Sequence, residues 1–389
     1  MNGKITIMIV AGEASGDAHA AKLIREIKEA QPAIVVEFFG AAGPKMREAG
    51  VEAIVESDSL SIVGLAEIGR ALPMFLRAKR DLKDAAIQRK PDVVILVDFP
   101  DFNLKLAKSL KKQGFLVVYY ISPQLWAWRN YRISSIRKYV DLLITILPFE
   151  KDWYSKRGIE HVEYVGNPLA NEVNSSQSRE EFCFNTGLDT SHPIVALLPG
   201  SRHKEIERML PVMLDAADEM TNEVPKAQFV IAAASTLARR DINDVLADRR
   251  SEYPLIVVDE QTYDVLNASD VAAVTSGTAT LEAGIIGTPM AVVYASSLVN
   301  YVLLRPLISV EHYGLINLIA GERIAAELIQ GDLTPKTLAA ELLRLLEPSA
   351  NAEMRSKLQK AADKLGQGGA SKRAAEAILG LIGREGSKS

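Results

Sequence analysis

Residues 5–17, ITIMIVAGEASGD, and residues 194–202, IVALLPGSR, decide the fold. Each is a short run of Ile, Val, Leu or Met that breaks into a glycine-containing loop, and each loop opens a helical pattern. Strands that are apolar from end to end, without alternation, belong to a parallel sheet buried on both faces. The first stretch contributes the run Ile5–Val10, and outward from it come Ile34–Phe39, Val93–Val97, Phe115–Tyr120, Leu142–Ile146 and Val162–Val165, with helical spacing between them at Ala18–Ala30 and Asn103–Gln113. The second set is Ile194–Leu198, Phe229–Ala233, Leu255–Val258, Val271–Val274 and Met290–Tyr294. The reading is an α/β chain with two tandem Rossmann-like domains, whose ligands are expected beyond the carboxyl ends of the strands. The first pattern breaks at Asn167-Pro168, and the polar stretch Asn171–Arg179 reads as the linker. The expected domains are therefore 1–168 and 169–365. A C-terminal helix and tail, 366–389, is expected to pack back on the N-terminal domain or on a partner subunit.

Composition agrees with this and narrows the function. A length of 389 residues suits two domains. Lys plus Arg number 45 against 49 Asp plus Glu, a formal charge of −4, so a generally basic nucleic-acid binder is excluded and any cationic surface is local. With 48% hydrophobic and 24% charged residues the chain can build large cores. The single cysteine, Cys183, excludes an internal disulfide and any Cys-rich metal site, which fits a reducing cytoplasm. The N-terminus lacks the apolar region of a signal peptide. Ala283–Leu304 is uncharged, but Gly284, Gly287, Pro289 and Asn300 interrupt it, so it reads as a helix end, a turn, a strand and a helix in place of a membrane span. There is no G-x-G-x-x-G after a strand, no P-loop signature, no H-E-x-x-H and no pair of aspartates two positions apart, so a metal-independent reaction without a cofactor is favoured.

Five places carry chemistry. After the first strand, Gly12–Asp17 offers Glu13 at a strand mouth, with Ser15 or Asp17 as the expected helix cap. Asp98 ends the central strand Val93–Val97, where general bases are commonly presented, whereas Asp101 reads as a helix cap. The loop Tyr119–Arg129 holds Gln124, Trp126 and Trp128, and its aromatics suit either domain packing or stacking on sugar rings or acyl chains. In the second half, Arg202 stands at a helix N-terminus, a combination suited to phosphate; the plainer alternative is a surface pair with Glu205. Ser276, Gly277 and Thr278 form a small-residue loop that can bring backbone N–H groups to a diphosphate, with Glu282 four residues on and able to take ribose hydroxyls. Leu65–Arg80 places Leu65, Ile68, Leu72, Phe75 and Leu76 at helical spacing among Arg70, Arg77, Lys79 and Arg80. That is either an ordinary helix against the sheet or an interfacial membrane helix. The five histidines make no metal spacing, and His312 alone merits a catalytic test.

Taken together, AGEASGD, VDFPDFN, YYISPQLWAWR, ILPFE, VGNPLA, LLPGSRHKEI, TSGTATLEA and GLINLIAGE resemble, in order and over nearly the whole chain, the lipid-A-disaccharide synthase family of GT-B glycosyltransferases. The chain departs from it at Asn167, where His is usual, and at Ile316, where Pro is usual. The resemblance implies two Rossmann-like domains with a ligand cleft between them and no cofactor. It implies condensation of UDP-2,3-diacylglucosamine with 2,3-diacylglucosamine 1-phosphate to a β(1→6) disaccharide 1-phosphate and UDP, on the cytoplasmic face of the inner membrane of Gram-negative bacteria. Joined to the residues, it assigns UDP to Arg202, Ser276, Gly277, Thr278, Glu282 and Asn317. The acceptor falls to Glu13, Ser15, Asp17, Gln124 and Trp128, the base to Asp98, and membrane contact to Leu65, Ile68, Leu72, Phe75 and Leu76. A homodimer is admitted. Another UDP-sugar GT-B enzyme or 2-epimerase, and a non-enzymatic nucleotide-sugar-binding membrane protein, are the alternatives.

Overall fold

The computed structural model describes residues 4–57, 68–234, 236–247, 249–296 and 311–386. Among them the chain divides into two compact units, Met1–Pro168 with Gly368–Ser389, and Leu169–Gln367. The first contains strands β1 (Lys4–Ala11), β2 (Val35–Ala42), β3 (Val51–Glu56), β4 (Val93–Val97), β5 (Val117–Tyr120), β6 (Leu142–Thr145) and β7 (Val162–Tyr164). They pair in parallel in the order β3-β2-β1-β4-β5-β6-β7. The second contains β8 (Ile194–Leu198), β9 (Gln228–Ala233), β10 (Leu255–Asp259), β11 (Val271–Thr275), β12 (Met290–Tyr294) and β13 (Ala326–Ile329), parallel in the order β10-β9-β8-β11-β12-β13. The expected α/β class and both Rossmann-like sheets are present.

Strand order locates the chemistry. In each unit the order reverses beside the first strand, between β1 and β4 and between β8 and β11, and ligands of doubly wound sheets bind beyond the carboxyl ends at that point. Ala11 pairs with Val97, and Leu198 with Val274. Gly12–Glu13 therefore emerges next to Asp98, and Pro199–Arg202 emerges next to Ser276–Gly277.

Two strands escape the apolar-run criterion. β3 reads VEAIVE and β13 reads AELI, and both lie at a sheet edge. At its edge β3 leaves Glu52 and Glu56 exposed, whereas Glu327 of β13 is buried and accommodated by the N–H groups it accepts from, and in both the continuous apolar run disappears. The expected linker is also partly helical: Leu169–Glu172 and Arg179–Thr186 are helices, the latter opened by a Ser178–Glu181 capping box. The C-terminal helix Ala370–Gly386 buries Ala374, Ala375 and Ile378 in one core with Ala20, Leu23, Ile24 and Ile27 of the helix Ala14–Ala30. No helix among the described residues is long and apolar enough to cross a membrane.

Leu65 lies outside the described residues, as does the side chain of Ile68. The helix Ile68–Arg89 leaves Leu72 51% and Leu76 59% exposed. Phe75 departs from the membrane-contact expectation, because its half-buried ring packs 6.2 Å from Phe99 and 6.1 Å from Phe102. Arg77 and Arg80 are exposed beside Asp81. Burial and the charges of Lys105, Lys83 and Lys108 push the Lys79 ammonium below its usual range.

Candidate active site

In the first unit the site is an elbow at the end of β4. Asp98 and Phe99 both have left-handed backbones, φ 47° and 49°, conformations that non-glycine residues adopt only where the surroundings impose them. Here Asn103 Nδ2 donates to the carbonyls of Val97 (3.1 Å) and Asp98 (2.8 Å), and the Tyr119 hydroxyl donates to the Asp98 carbonyl at 2.6 Å. The Phe99 ring sits directly over Gly12, where a Cβ would fall 2.2 Å from the ring, so only glycine admits this crossing. Burial pushes the Asp98 carboxyl up to about 6, the negative charge of Glu13 adds to the shift, and the Phe99 N–H opposes it. A carboxyl held near neutrality at a switch point can take up and release a proton at physiological pH.

The flanking residues divide. Glu13 is exposed and occupies the N-cap position of Ala14–Ala30 without a side-chain cap bond, and Ser15 is exposed in the first turn, so neither Ser15 nor Asp17 is the cap. Asp17 leaves the acceptor set. It is 3% exposed, and its carboxylate accepts from the N–H groups of Gly43 (2.9 Å), Lys45 (2.9 Å) and Met46 (3.1 Å), capping the helix Pro44–Glu48. Asp101 is likewise not a cap but a partner for Arg129 and Arg132; burial would raise its carboxyl, and the two guanidiniums hold it below the ordinary value. Gln124 is exposed and Trp128 is 38% exposed with the Arg129 guanidinium 4.2 Å over its ring, whereas Trp126 is buried.

In the second unit a cavity of about 290 Å³, at the small end for ligand pockets, is lined by residues at and beyond the carboxyl ends of β8 and β11: Arg202, Glu205, Thr275, Ser276, Gly277, Thr278 and Glu282 among them. Arg202 is 81% exposed and pairs with Glu205 at 3.0 Å, which is the plainer expectation for this residue. A pair so exposed contributes little, about 0–1 kcal/mol, and does not hold the guanidinium away from an entering phosphate. The helix N-terminus is less open than the sequence suggests, since the Glu205 carboxylate accepts from Ser201 N (3.2 Å) and Arg202 N (3.4 Å). Gly277, with φ 155° and ψ −158°, occupies a region essentially reserved for glycine, and Thr278 opens the helix Thr278–Ile286. Burial raises the Glu282 carboxyl, against the Tyr263 hydroxyl that donates to it at 3.1 Å.

Two residues assigned to UDP are engaged elsewhere. The Ser276 N–H donates to the Val293 carbonyl and its hydroxyl to the Tyr313 carbonyl, so Ser276 anchors the loop Glu311–Gly314 to the sheet. Asn317 is fully buried: its Nδ2 donates to Ala325 O and Glu327 Oε1, and its Oδ1 accepts from Ala325 N. Glu327 also accepts from the N–H groups of Tyr313 and Gly314. Ile316, where the resembled family has Pro, is buried against Gly284, at which a Cβ would fall 2.4 Å from its Cδ1. Asn167 is buried as well. His312 is half-buried on the Glu311–Gly314 loop.

The sequence reading passed over Thr275, Tyr263 and Glu150. Thr275 lines the cavity with a buried hydroxyl that has no hydrogen-bond partner among the described residues. Tyr263 and Glu150 become visible only through their contacts, with Glu282 and with the loop after β5 respectively. Among the described residues no group of three His, Cys, Asp or Glu side chains could hold a metal ion.

A family model described as lipid-A-disaccharide synthetase matches residues 7–380. A protein named lipid-A-disaccharide synthase from Trichlorobacter lovleyi is 42% identical over 377 residues, 97% of each chain. Among solved structures, a putative UDP-N-acetylglucosamine 2-epimerase from Listeria monocytogenes superposes with a TM-score of 0.65 at 17% identity, covering 98% of this chain and 97% of that one. The calicheamicin glycosyltransferase CalG4 gives 0.59 at 15% identity, covering 98% and 99%. At those identities the structures share the fold.

Proposed function

The chain belongs to the lipid-A-disaccharide synthase family, and from that premise we propose how its residues carry the reaction. Membership makes it a hexosyltransferase of lipid A disaccharide synthesis, acting on a UDP-sugar and a sugar acceptor. The proposed reaction joins UDP-2,3-diacylglucosamine to 2,3-diacylglucosamine 1-phosphate with inversion, giving the β(1→6) disaccharide 1-phosphate and UDP. The observation that carries the assignment of roles is Asp98, a half-buried carboxyl raised to about 6 at the switch point of the first sheet. Its carboxylate takes the proton of the acceptor 6-hydroxyl as that oxygen forms its bond to donor C1; the C1–oxygen bond to UDP breaks, and the electron pair leaves with the diphosphate. Glu13, Ser15, Gln124 and Trp128 are the proposed acceptor contacts.

Negative charge growing on the leaving diphosphate is met by Arg202 and by the loop Gly277–Thr278 at a helix N-terminus, and this stabilisation is proposed to act without a metal. Glu282 takes the ribose hydroxyls. The acylated substrates suggest a peripheral site on the cytoplasmic face of the inner membrane, and exposed Leu72 and Leu76 beside Arg77 and Arg80 support contact with that surface. Incubation with both acylated substrates in the presence of a chelator, followed by mass analysis, should yield the disaccharide. Turnover of a non-acylated UDP-sugar without acceptor would favour the epimerase reading, and UDP binding without product would favour the non-enzymatic one.

A further inference from the structure

The segment after β5 is held in a strained shape at both ends. Ile121 has φ 63° and Arg129 φ 58°, and a β-branched residue in the left-handed region is a clear outlier that the surroundings must impose. Next to Ile121, the contacts that hold the segment come from the helix Glu150–Ser155. The Glu150 carboxylate is 1% exposed and receives four donors: Ser122 Oγ at 2.8 Å, Trp126 Nε1 at 3.0 Å, and the N–H groups of Leu147 at 3.1 Å and Ile146 at 3.3 Å. Tyr154, on the same helix, donates its hydroxyl to Pro123 O at 2.8 Å, and Trp126 meets the Phe149 ring edge-on at 5.0 Å. Every bond from this helix to the loop thus grips Ser122–Trp126. The loop continues to Trp128 and Arg129, and Arg129 pairs with Asp101, three residues after Asp98.

We propose that Glu150 is a positioning residue for the acceptor: its buried carboxylate clamps Ser122–Trp126 to the sheet and thereby sets where Gln124 and Trp128 stand at the end of β5, beside the strand that ends at Asp98. This rests on the acceptor assignment made above. Burial drives the Glu150 carboxyl up to about 7 against the opposing pull of Trp126, Ser122 and the two backbone N–H groups, so the clamp is retained at a desolvation cost that a merely space-filling residue would not carry. The chemistry also specifies the residue. Four donors need two acceptor oxygens, and an amide supplies one while turning a donor of its own toward the others.

The test is Glu150→Gln in the full-length chain. Loss of this buried hydrogen-bonded anchor should raise the acceptor KM about tenfold or more and increase acrylamide quenching of tryptophan fluorescence, with the Kd for UDP within about twofold of the parent. A lowered Tm with unchanged acceptor KM and unchanged quenching overturns the proposal. If Glu150→Gln does not fold, Ser122→Ala and Trp126→Phe each remove one donor and should each raise the acceptor KM several-fold; no change in either also overturns it. Failure of the underlying reading is separable, because it would appear as absence of disaccharide from the wild-type protein, whereas the quenching contrast reports the clamp without turnover.

Discussion

A carboxyl whose proton affinity is tuned by its surroundings leaves a signature in pH. Asp98 must be ionised to act as base, and its carboxyl is raised to about 6, so kcat/KM should fall about tenfold per unit as pH drops below that value and level off above it. Asp98→Asn should lower kcat by about 10²–10⁴-fold, retain UDP affinity and abolish that inflection. Should it keep the full rate, Glu13 or His312 is the better base. Arg202→Ala should raise the UDP Kd by roughly 10–100-fold, the worth of a charged hydrogen bond, and slow turnover together. At this scale the sequence was legible where a residue's position follows from its strand: Asp98 stands at the mouth of β4 because Val93–Val97 ends there. It was misleading where a polar side chain had a structural partner far along the chain. Asp17 caps a helix 27 residues away at Pro44, Ser276 holds Tyr313, and Asn317 joins Ala325 to Glu327. Nothing in a linear reading distinguishes a carboxylate or amide so engaged from one that faces a ligand.

Among elements, the interior strands declared themselves because burial on both faces demands unbroken apolar runs, as in VVILV of β4 and IVALL of β8. Edge strands β3 and β13 carry charge and were missed. The helix Ala370–Gly386 could be recognised as amphipathic, yet which surface received its apolar face was undetermined until its contacts with Ala14–Ala30 were seen. Ile378 is fully buried in that core. Ile378→Ala should therefore destabilise the first unit by about 2–5 kcal/mol, from lost transfer free energy plus a cavity, read as a lower urea midpoint at unchanged slope. A surface position such as Lys372 should change stability by no more than about 0.5 kcal/mol in the same measurement.

For the molecule as a whole, a formal charge of −4 conceals a local cationic face along the helix Ile68–Arg89, whereas Arg202 is paired with Glu205. If exposed Leu72 and Leu76 insert into a bilayer, Leu72→Ser with Leu76→Ser should reduce sedimentation with anionic lipid vesicles several-fold, because the buried apolar area disappears, while Tm stays unchanged. Equal sedimentation of variant and parent would remove this helix from the membrane surface. The sequence by itself determined the α/β class, the pair of Rossmann-like sheets and the strand-end loops where ligands belong, since these follow from local periodicity and from the cover that parallel strands require. It also carried the family resemblance. Only the tertiary structure decided which polar groups at those loops are engaged and which face outward, where the C-terminal helix docks, and that Glu150 grips the loop after β5. Hydrogen-bond partnership and desolvation depend on residues tens of positions apart in the chain, and they acquire values only when the fold brings those residues together.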